Sequence, residues 1–331
     1  MNSIVVMMLT FNRQTLPFQT EFVVAGTRCV LATNSLEVLQ STAGWRQGTD
    51  LCGSASFEME VFVDSAMDNR VNQAAFFRGH RHLVFTLLPP RSFVTYDLLR
   101  RRVHGILSVA AARDCFFWNN LLLPITIGLL GTTVGVVPLH CACLDHDGNG
   151  LLVAGVSGAG KSTLSAAMAG YGFSFVSDDW TYISKEGSTL VAHGLSSRVK
   201  LLPDAVRFFP DLRHLAPRTT LNGELAYEID PSRTEGFAVK HRSHPRRIFF
   251  LERTSQSGCY FVPCQSDYVR SFFEKNAERL PDELVQAKAF RTSIIQTLSS
   301  CAAWILRTGE SPQKTAEAMG DFVTGAHNAR V

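Results

Sequence analysis

The sequence predicts an α/β protein in which a small β-rich domain (residues 1–94) precedes a larger α/β domain (residues 95–331) that ends in helices. Three observations support this prediction. Apolar and polar residues alternate in Phe57–Val63, as they do in a half-buried strand. A short apolar run, a glycine-rich loop and a helical pattern follow one another in Leu151–Ala169. Apolar residues at helical spacing recur from Ser266 onward.

Composition narrows the class of protein. The 331 residues suffice for two domains with separate cores, and 46% apolar against 18% charged residues indicates a globular chain. The net charge of +3, without a long basic stripe, predicts no nucleic-acid partner. The eight cysteines form no C-x-x-C pair and are typical of reduced thiols. We therefore expect a cytoplasmic protein.

One uncharged stretch raises the question of a membrane. No formal charge occurs between Cys115 and Cys143, and Leu121–Leu139 is long and apolar enough to reach across a bilayer. Pro124 and Pro138 interrupt it, and it leads directly into the strand before the glycine-rich loop. We favour a buried helix and expect no membrane partner.

The residues before this stretch predict the N-terminal domain. Glu21–Val30, Phe57–Val63 and His82–Leu88 have the pattern of strands, and Pro89–Pro90 ends the last of them. A helical pattern follows from Tyr96, which places the domain boundary just before it. The N-terminal domain contains no catalytic pattern, and we expect it to serve substrate docking or an oligomer contact.

Gly155–Ser162 is a complete G-x-x-x-x-G-K-[ST] phosphate-binding loop. Its glycines allow successive N–H groups to face an anion, and the following helix adds the positive end of its dipole. Lys161 would contact the β and γ phosphates, and the Ser162 hydroxyl would bind Mg²⁺. The residues expected to hold a nucleoside triphosphate are Gly155, Val156, Ser157, Gly158, Ala159, Gly160, Lys161, Ser162 and Thr163.

A hairpin precedes the loop. Turn residues 145–150 separate two apolar runs, so we expect an antiparallel pair in which Leu144 faces Leu151. This register would place His140 opposite Gly155, beside the phosphate loop. The histidine would then contact a phosphate or tune a neighbouring acid, and a structural role at the strand end is the alternative.

Two adjacent carboxylates follow the next predicted strand. Asp178 and Asp179 come directly after Phe173–Ser177, at the carboxyl end of a strand, where ligands bind in open α/β sheets. One carboxylate suits Mg²⁺, and the other could accept a proton from an attacking hydroxyl. A solvated turn or a helix cap is the alternative, but the position after the loop helix favours function.

These residues together resemble a known family. His140, the loop Gly155–Ser162 and Ser177–Asp179 resemble the catalytic domain of the HPr serine kinase/phosphorylase family, whose relatives include kinases that phosphorylate a serine on peptide precursors. The resemblance spans roughly residues 120 to 210. It implies a P-loop kinase core similar to that of phosphoenolpyruvate carboxykinase. It also implies that Asp178 is the general base, that Asp179 lies beside the metal, and that His140 precedes the loop strand.

The chain departs from this family after the carboxylates. HPr kinases have the signature E-[ILV]-R-G-[LIV]-G there, tied to metal binding and to phosphorolysis. The corresponding stretch, Leu190–Leu195, lacks both the glutamate and the arginine. A kinase-like relative with an acceptor other than HPr is therefore the better fit.

Two basic segments are candidates for contacting anions. Arg198 and Lys200 share one face of a predicted strand, Ser196–Leu202, and could reach the transferred phosphate, although exposed edge charges are the favoured interpretation. Lys240–Arg247 contains four Lys or Arg residues and no acid. A mobile clamp over phosphates or an acidic peptide and a solvated loop both remain open for it.

The leading hypothesis is an ATP-dependent kinase that transfers the γ-phosphoryl group to a serine of a protein or peptide. Gly155–Lys161 would bind the phosphates, Ser162 and Asp179 would hold Mg²⁺, and Asp178 would take the hydroxyl proton. A small-molecule kinase is the alternative enzyme, and a nucleotide-dependent switch or scaffold is the alternative of another class. The C-terminal helices would pack on the core or form a homo-oligomer contact.

Overall fold

The computed structural model describes residues 16–45, 56–68, 70–71, 75–195, 198–220, 224–234 and 236–325. Strands and helices are mixed along these residues, so the chain is an α/β protein. It divides into two compact units. The first takes the residues up to Val136 together with Arg279–Phe290, and the second takes most of the rest. The division after Val136, and not near residue 94, differs from the predicted boundary because two strands after residue 91 complete the first unit's sheet.

The first unit is built on a seven-stranded sheet with the strand order β1-β2-β3-β7-β6-β5-β4. β2, β3 and β7 are mutually parallel, and the remaining neighbours are antiparallel. The strands are β1 (Phe18–Val24), β2 (Thr27–Thr33), β3 (Ser56–Asp64), β4 (Phe76–His80), β5 (Leu83–Leu88), β6 (Ser92–Asp97) and β7 (Arg102–Ser108).

The structure corrects two predictions in this unit. The predicted strand Glu21–Val30 is interrupted, because Ala25 and Gly26 form a turn with positive φ between β1 and β2. The helix predicted from Tyr96 is also wrong up to Ser108. On β7, Val103, Gly105 and Leu107 are buried, whereas His104 and Ile106 between them are only partly buried; this alternation is the period of a strand and not of a helix.

The helices of the first unit are α1 (Leu36–Ser41), α2 (Val109–Arg113) and α3 (Cys115–Val134). α3 contains a π-helical turn at Trp118–Leu122 and is long and apolar enough, by length and composition alone, to cross a membrane. Half of its most apolar window is buried within the protein. Trp118 and Ile127 have no exposed surface, so one side of this helix belongs to a core.

The second unit is built on a nine-stranded sheet with the main strand order β11-β9-β10-β17-β13-β12-β8, and β19 joins β17 to β18. A three-stranded sheet, β14-β16-β15, accompanies it. The strands are β8 (Val136–Leu139), β9 (Ala142–His146), β10 (Asn149–Ala154), β11 (Ser174–Ser177), β12 (Thr181–Glu186), β13 (Thr189–His193), β14 (Val199–Leu201), β15 (Arg218–Thr219), β16 (Leu225–Ile229), β17 (Arg242–Arg253), β18 (Cys259–Pro263) and β19 (Ala302–Thr308).

Strand direction brings two carboxyl ends to one edge of this sheet. β9 is antiparallel to both β10 and β11, so β10 and β11 run in the same direction. The pairing of Leu144 with Leu151 confirms the predicted hairpin register. The ladder ends at Ala142 and Val153, however, so His140 lies outside it and does not pair with Gly155.

The remaining helices are α4 (Lys161–Gly170), α5 (Ser266–Lys275), α6 (Val285–Leu298) and α7 (Pro312–Thr324), with short 3₁₀ turns at Ala43–Trp45, Pro203–Arg207, Pro210–His214 and Pro231–Arg233. The expectation of helices alone after Ser266 is wrong for Ala302–Thr308, which pairs in parallel with β17. Leu164 and Met168 of α4 pack with Phe249 and Leu306 in a core between α4, α7 and the sheet.

Candidate active site

The phosphate-binding loop lies between a buried strand and a helix, in the predicted order. β10 ends at Ala154, the loop follows, and α4 begins at Lys161. Gly155 lies close to the neighbouring strand, because a Cβ there would be 2.9 Å from the Leu251 carbonyl oxygen. Gly160 caps α4 with a φ of +96°, a conformation that other residues rarely adopt. The loop therefore needs glycine at both ends.

Lys161 lies over the loop that precedes it. Its ammonium group donates hydrogen bonds to the carbonyl oxygens of Gly155 (3.1 Å) and Val156 (3.3 Å). The side chain is buried, with 7% of its surface exposed. A cation is thus held at the mouth of a loop rich in backbone N–H groups, and this combination binds phosphate well.

Asp178 follows β11 and is buried. Burial raises the pKa of its carboxyl to about 7, the nearby charge of Asp179 adds to the rise, and the Ser162 hydroxyl, the Lys200 main chain and the Lys161 charge act against it. The Lys200 main-chain N–H donates to Asp178 Oδ2 (3.3 Å). Oδ1 is buried and accepts no hydrogen bond from the described residues. Asp178 therefore has a buried carboxyl group whose protonation state changes near neutral pH.

Asp179 has a different environment from its neighbour. His140 Nε2 lies 2.9 Å from Asp179 Oδ1, and the His140 ring stacks on Trp180, with ring centroids 5.4 Å apart. Partial burial acts to raise the pKa of Asp179, but the His140 hydrogen bond and the charges of His140, Lys200 and Lys161 together lower it below its usual value. Asp179 is therefore an ionised carboxylate at neutral pH, with its side chain 57% exposed.

Hydroxyl groups join the two segments that carry these acids. Thr181 Oγ1 donates to the Cys141 carbonyl oxygen (2.7 Å) and lies 2.7 Å from Ser177 Oγ. These hydrogen bonds connect Cys141, the residue after His140, to Ser177 and Thr181, which lie on either side of the two aspartates. Trp180 and Thr181 were not among the predicted site residues, because nothing in their local pattern indicates that they orient a histidine on another segment.

A close backbone contact supports the end of β11. A Cβ at Gly194 would lie 1.7 Å from the Val176 carbonyl oxygen, so no other residue fits there without displacement. Gly194 also donates its main-chain N–H to the His241 carbonyl oxygen (3.0 Å). Gly194 belongs to the stretch that lacks the glutamate and arginine of HPr kinases, and its role in this protein is close packing beside Asp178.

The two predicted basic segments have different positions. Lys200 lies on β14 next to Asp178, and Arg198 lies 3.8 Å from the Glu228 carboxylate. In contrast, Lys240–Arg247 is neither a mobile clamp nor a solvated loop, because β17 begins at Arg242. His244 is level with Asn149, at the amino end of β10, about 17 Å along the strand from the loop.

Acidic side chains neutralise part of the charge of the basic segment Lys240–Arg247. Lys240 and Ser243 both contact the buried carboxylate of Asp145, and Arg242 forms a 2.8 Å ion pair with Glu186. Burial acts to raise the pKa of Asp145, but the bonds from Lys240, Ser243 and the Gly148 main chain lower it below its usual value. These contacts are structural, and the segment does not reach the phosphate loop.

The residues predicted to bind a nucleotide and a metal ion lie at one edge of the sheet. Ser162 lies beside Asp178, and Asp179 lies beside His140. The described ranges contain no group of three or more His, Cys, Asp and Glu side chains arranged around one metal position. Mg²⁺ in phosphoryl-transfer sites binds one or two carboxylates or hydroxyls together with phosphate oxygens and water, so the residues present fit Mg²⁺ carried by a nucleotide.

Comparisons with known proteins find similarity among solved structures but not at the level of sequence. No protein-family model matches the sequence, and no curated protein matches it. Among solved structures, the chain is similar to the Hpr(Ser) kinase/phosphatase from Coxiella burnetii, with 13% sequence identity and a TM-score of 0.34. The similarity covers 58% of this chain and 91% of that chain. It is a distant structural relationship.

Proposed function

We propose that the protein is an ATP-dependent kinase that transfers the γ-phosphoryl group to a hydroxyl, most simply a serine of a protein or peptide. The observation that carries this proposal is the pairing of a phosphate-binding loop with a buried base. Asp178 Oδ1 has no hydrogen-bond partner among the described residues, and Asp178 lies beside Ser162, at the end of that loop. A buried carboxyl with a pKa near neutrality, in contact with a phosphate-binding loop, is suited to exchange a proton with a reacting hydroxyl.

The acceptor hydroxyl is the group that Asp178 would deprotonate. As the acceptor oxygen forms its bond to the γ-phosphorus, its proton passes to Asp178 and the bond between that phosphorus and the β–γ bridging oxygen breaks. The electron pair of the broken bond leaves with ADP. A pKa of about 7 lets Asp178 be ionised before the transfer and protonated after it at neutral pH.

The other side chains bind and orient. The loop N–H groups and Lys161 hold the phosphates, and Lys161 would exchange its bonds to Gly155 and Val156 for phosphate oxygens. Mg²⁺, held by Ser162 and Asp179, would neutralise charge on the phosphate oxygens. His140 donates to Asp179 and thereby keeps that carboxylate ionised and oriented.

Two other functions compete with this proposal. A small-molecule kinase would use the same loop and the same base, and only the acceptor distinguishes it. A nucleotide-dependent switch would hydrolyse ATP with water. It would need no base positioned to accept a proton from an organic hydroxyl. The serine acceptor rests on the sequence resemblance to kinases that act on proteins and peptides.

The test follows the phosphoryl group. The full chain is incubated with Mg²⁺ and γ-labelled ATP, alone and with cell extract separated into protein, peptide and small-molecule pools. Label in the protein or peptide pool, lost with Lys161→Ala and reduced about 10²- to 10⁴-fold with Asp178→Asn, supports the serine kinase. Arg246→Ala, on the distant basic strand, is the matched control and should transfer normally.

The remaining outcomes separate the alternatives. Label in the small-molecule pool identifies a metabolite kinase. Free phosphate as the sole labelled product in every pool identifies a switch that hydrolyses ATP. Normal transfer by Asp178→Asn refutes the assignment of Asp178 as the base.

A further inference from the structure

A second lysine faces the candidate site from a different element. Lys200 is the middle residue of β14. Val199 and Leu201 on either side are buried in a core with α4, with 1% and 0% of their surface exposed. Because side chains alternate along a strand, Lys200 points away from that core, and it is exposed.

Two observations place Lys200 at the carboxylates. Its main-chain N–H donates to Asp178 Oδ2 (3.3 Å), and its charge is one of the causes that lower the pKa of Asp179. Glu228 lies opposite Lys200 on β16. Its carboxylate is 3.8 Å from the Arg198 guanidinium group, so Glu228 is paired with Arg198. Among the residues with described positions, no carboxylate lies within 4 Å of the Lys200 ammonium group.

The charge balance of the site favours a further anion. The Lys161 ammonium group donates to main-chain carbonyl oxygens, and the Lys200 ammonium group has no carboxylate within 4 Å among the described residues. Two lysines that form no ion pair with a described carboxylate therefore lie at the site. A phosphate group would pair with both of them, and a flexible four-carbon stem lets a lysine follow such a group.

We propose that the Lys200 ammonium group binds the γ-phosphoryl group of ATP, the group that is transferred. This inference rests on the proposed function. The reacting phosphorus must lie between ADP and the acceptor hydroxyl that Asp178 deprotonates. Lys200 is joined to Asp178 through its main chain, whereas Lys161 approaches from the loop, so Lys200 is the cation on the acceptor side of the phosphates.

The structure makes side-chain substitutions at Lys200 informative. Its hydrogen bond to Asp178 comes from the main chain, so Lys200→Met retains that bond and removes the charge. Lys185→Met is the matched control, because Lys185 is also an exposed strand lysine in the same unit but lies near the far end of β12. Lys200→Arg retains the charge and should restore part of the lost affinity.

The test compares two nucleotides that differ at the γ position. Isothermal titration calorimetry measures binding of Mg²⁺ with ADP and with the non-hydrolysable ATP analogue adenylyl imidodiphosphate. A hydrogen bond to a charged group contributes enough that Lys200→Met should weaken binding of the analogue about 10-fold or more. It should change binding of ADP less than about 2-fold, and Lys185→Met should change neither.

The outcomes separate this inference from the proposed function. Equal effects of Lys200→Met on both nucleotides, or no effect on either, overturn the assignment of Lys200 while leaving the kinase proposal intact. If the wild-type protein binds neither nucleotide, the kinase proposal fails and the role of Lys200 fails with it.

Discussion

Replacing Asp178 with asparagine should reduce phosphoryl transfer about 10²- to 10⁴-fold and at the same time stabilise the protein at alkaline pH. Asparagine has nearly the shape of a protonated aspartate and never ionises. The wild-type carboxyl carries a negative charge at pH 8 in a buried position where Oδ1 has no hydrogen-bond partner among the described residues. Ionisation of such a group is unfavourable for folding, and the asparagine variant avoids it.

The magnitude follows from the pKa of Asp178. Folding raises it from 3.8 to about 7, so the folded protein holds the proton more tightly than the unfolded chain. Folding stability therefore falls as pH rises from about 4 to about 7 and is level above that range. At about 1.4 kcal/mol per pKa unit the full effect is on the order of 4 kcal/mol, of which about 2 to 3 kcal/mol develops between pH 5 and pH 8.

Urea unfolding, followed by tryptophan fluorescence, measures this effect at both pH values. The free energy of unfolding of Asp178→Asn relative to wild type should increase by about 2 to 3 kcal/mol from pH 5 to pH 8. Asp179→Asn is the matched control: the pKa of Asp179 itself is lowered, so this variant should gain only the smaller part of the effect that the Asp179 charge adds to the raised pKa of Asp178. An equal advantage of Asp178→Asn at pH 5 and pH 8 would refute the assignment of a raised pKa to Asp178.

Three further substitutions test other parts of the site. His140→Ala removes the donor to Asp179, so the Mg²⁺ concentration that gives half-maximal transfer should rise about 10-fold or more; an unchanged Mg²⁺ titration would contradict the positioning role of His140. Gly194→Ala should destabilise the protein by about 1–3 kcal/mol in urea unfolding, because its Cβ would meet the Val176 carbonyl oxygen, whereas Gly128→Ala, with nothing within 4 Å, should not. Arg246→Ala lies on the basic strand, and calorimetry should find nucleotide affinity changed less than about 2-fold; a 10-fold loss would show that the amino end of β17 does reach the phosphates.

The parts of this site that local sequence predicts are those set by local geometry. The glycine spacing of Gly155–Ser162 requires a tight loop, and the loop lies between a strand and a helix as expected. The pairing of Leu144 with Leu151 follows from the turn residues between them. In both cases the interacting residues are close in sequence, so pattern alone is sufficient.

Other elements depend on contacts between distant residues. Arg102–Ser108 has enough apolar residues for a helix or a strand, and pairing with β3 and β6 decides for the strand. Ala302–Thr308 becomes a strand because β17 and β18 flank it. The charges of Lys240–Arg247 suggested a phosphate clamp, but only the parallel register of β10 and β17 shows that they lie at the opposite end of the strand from the loop.

The two adjacent aspartates demonstrate the limit of sequence reasoning most clearly. Asp178 and Asp179 have the same chemistry in isolation, and sequence can assign them different roles only by resemblance to a family. In the structure, burial raises the pKa of Asp178 towards neutrality, whereas His140, held by Trp180 and supplied from a segment 39 residues away, keeps Asp179 ionised. A base that exchanges a proton and a carboxylate that stays charged are both needed for phosphoryl transfer. The surroundings of each carboxylate, and not its identity, therefore determine which of the two can perform each role.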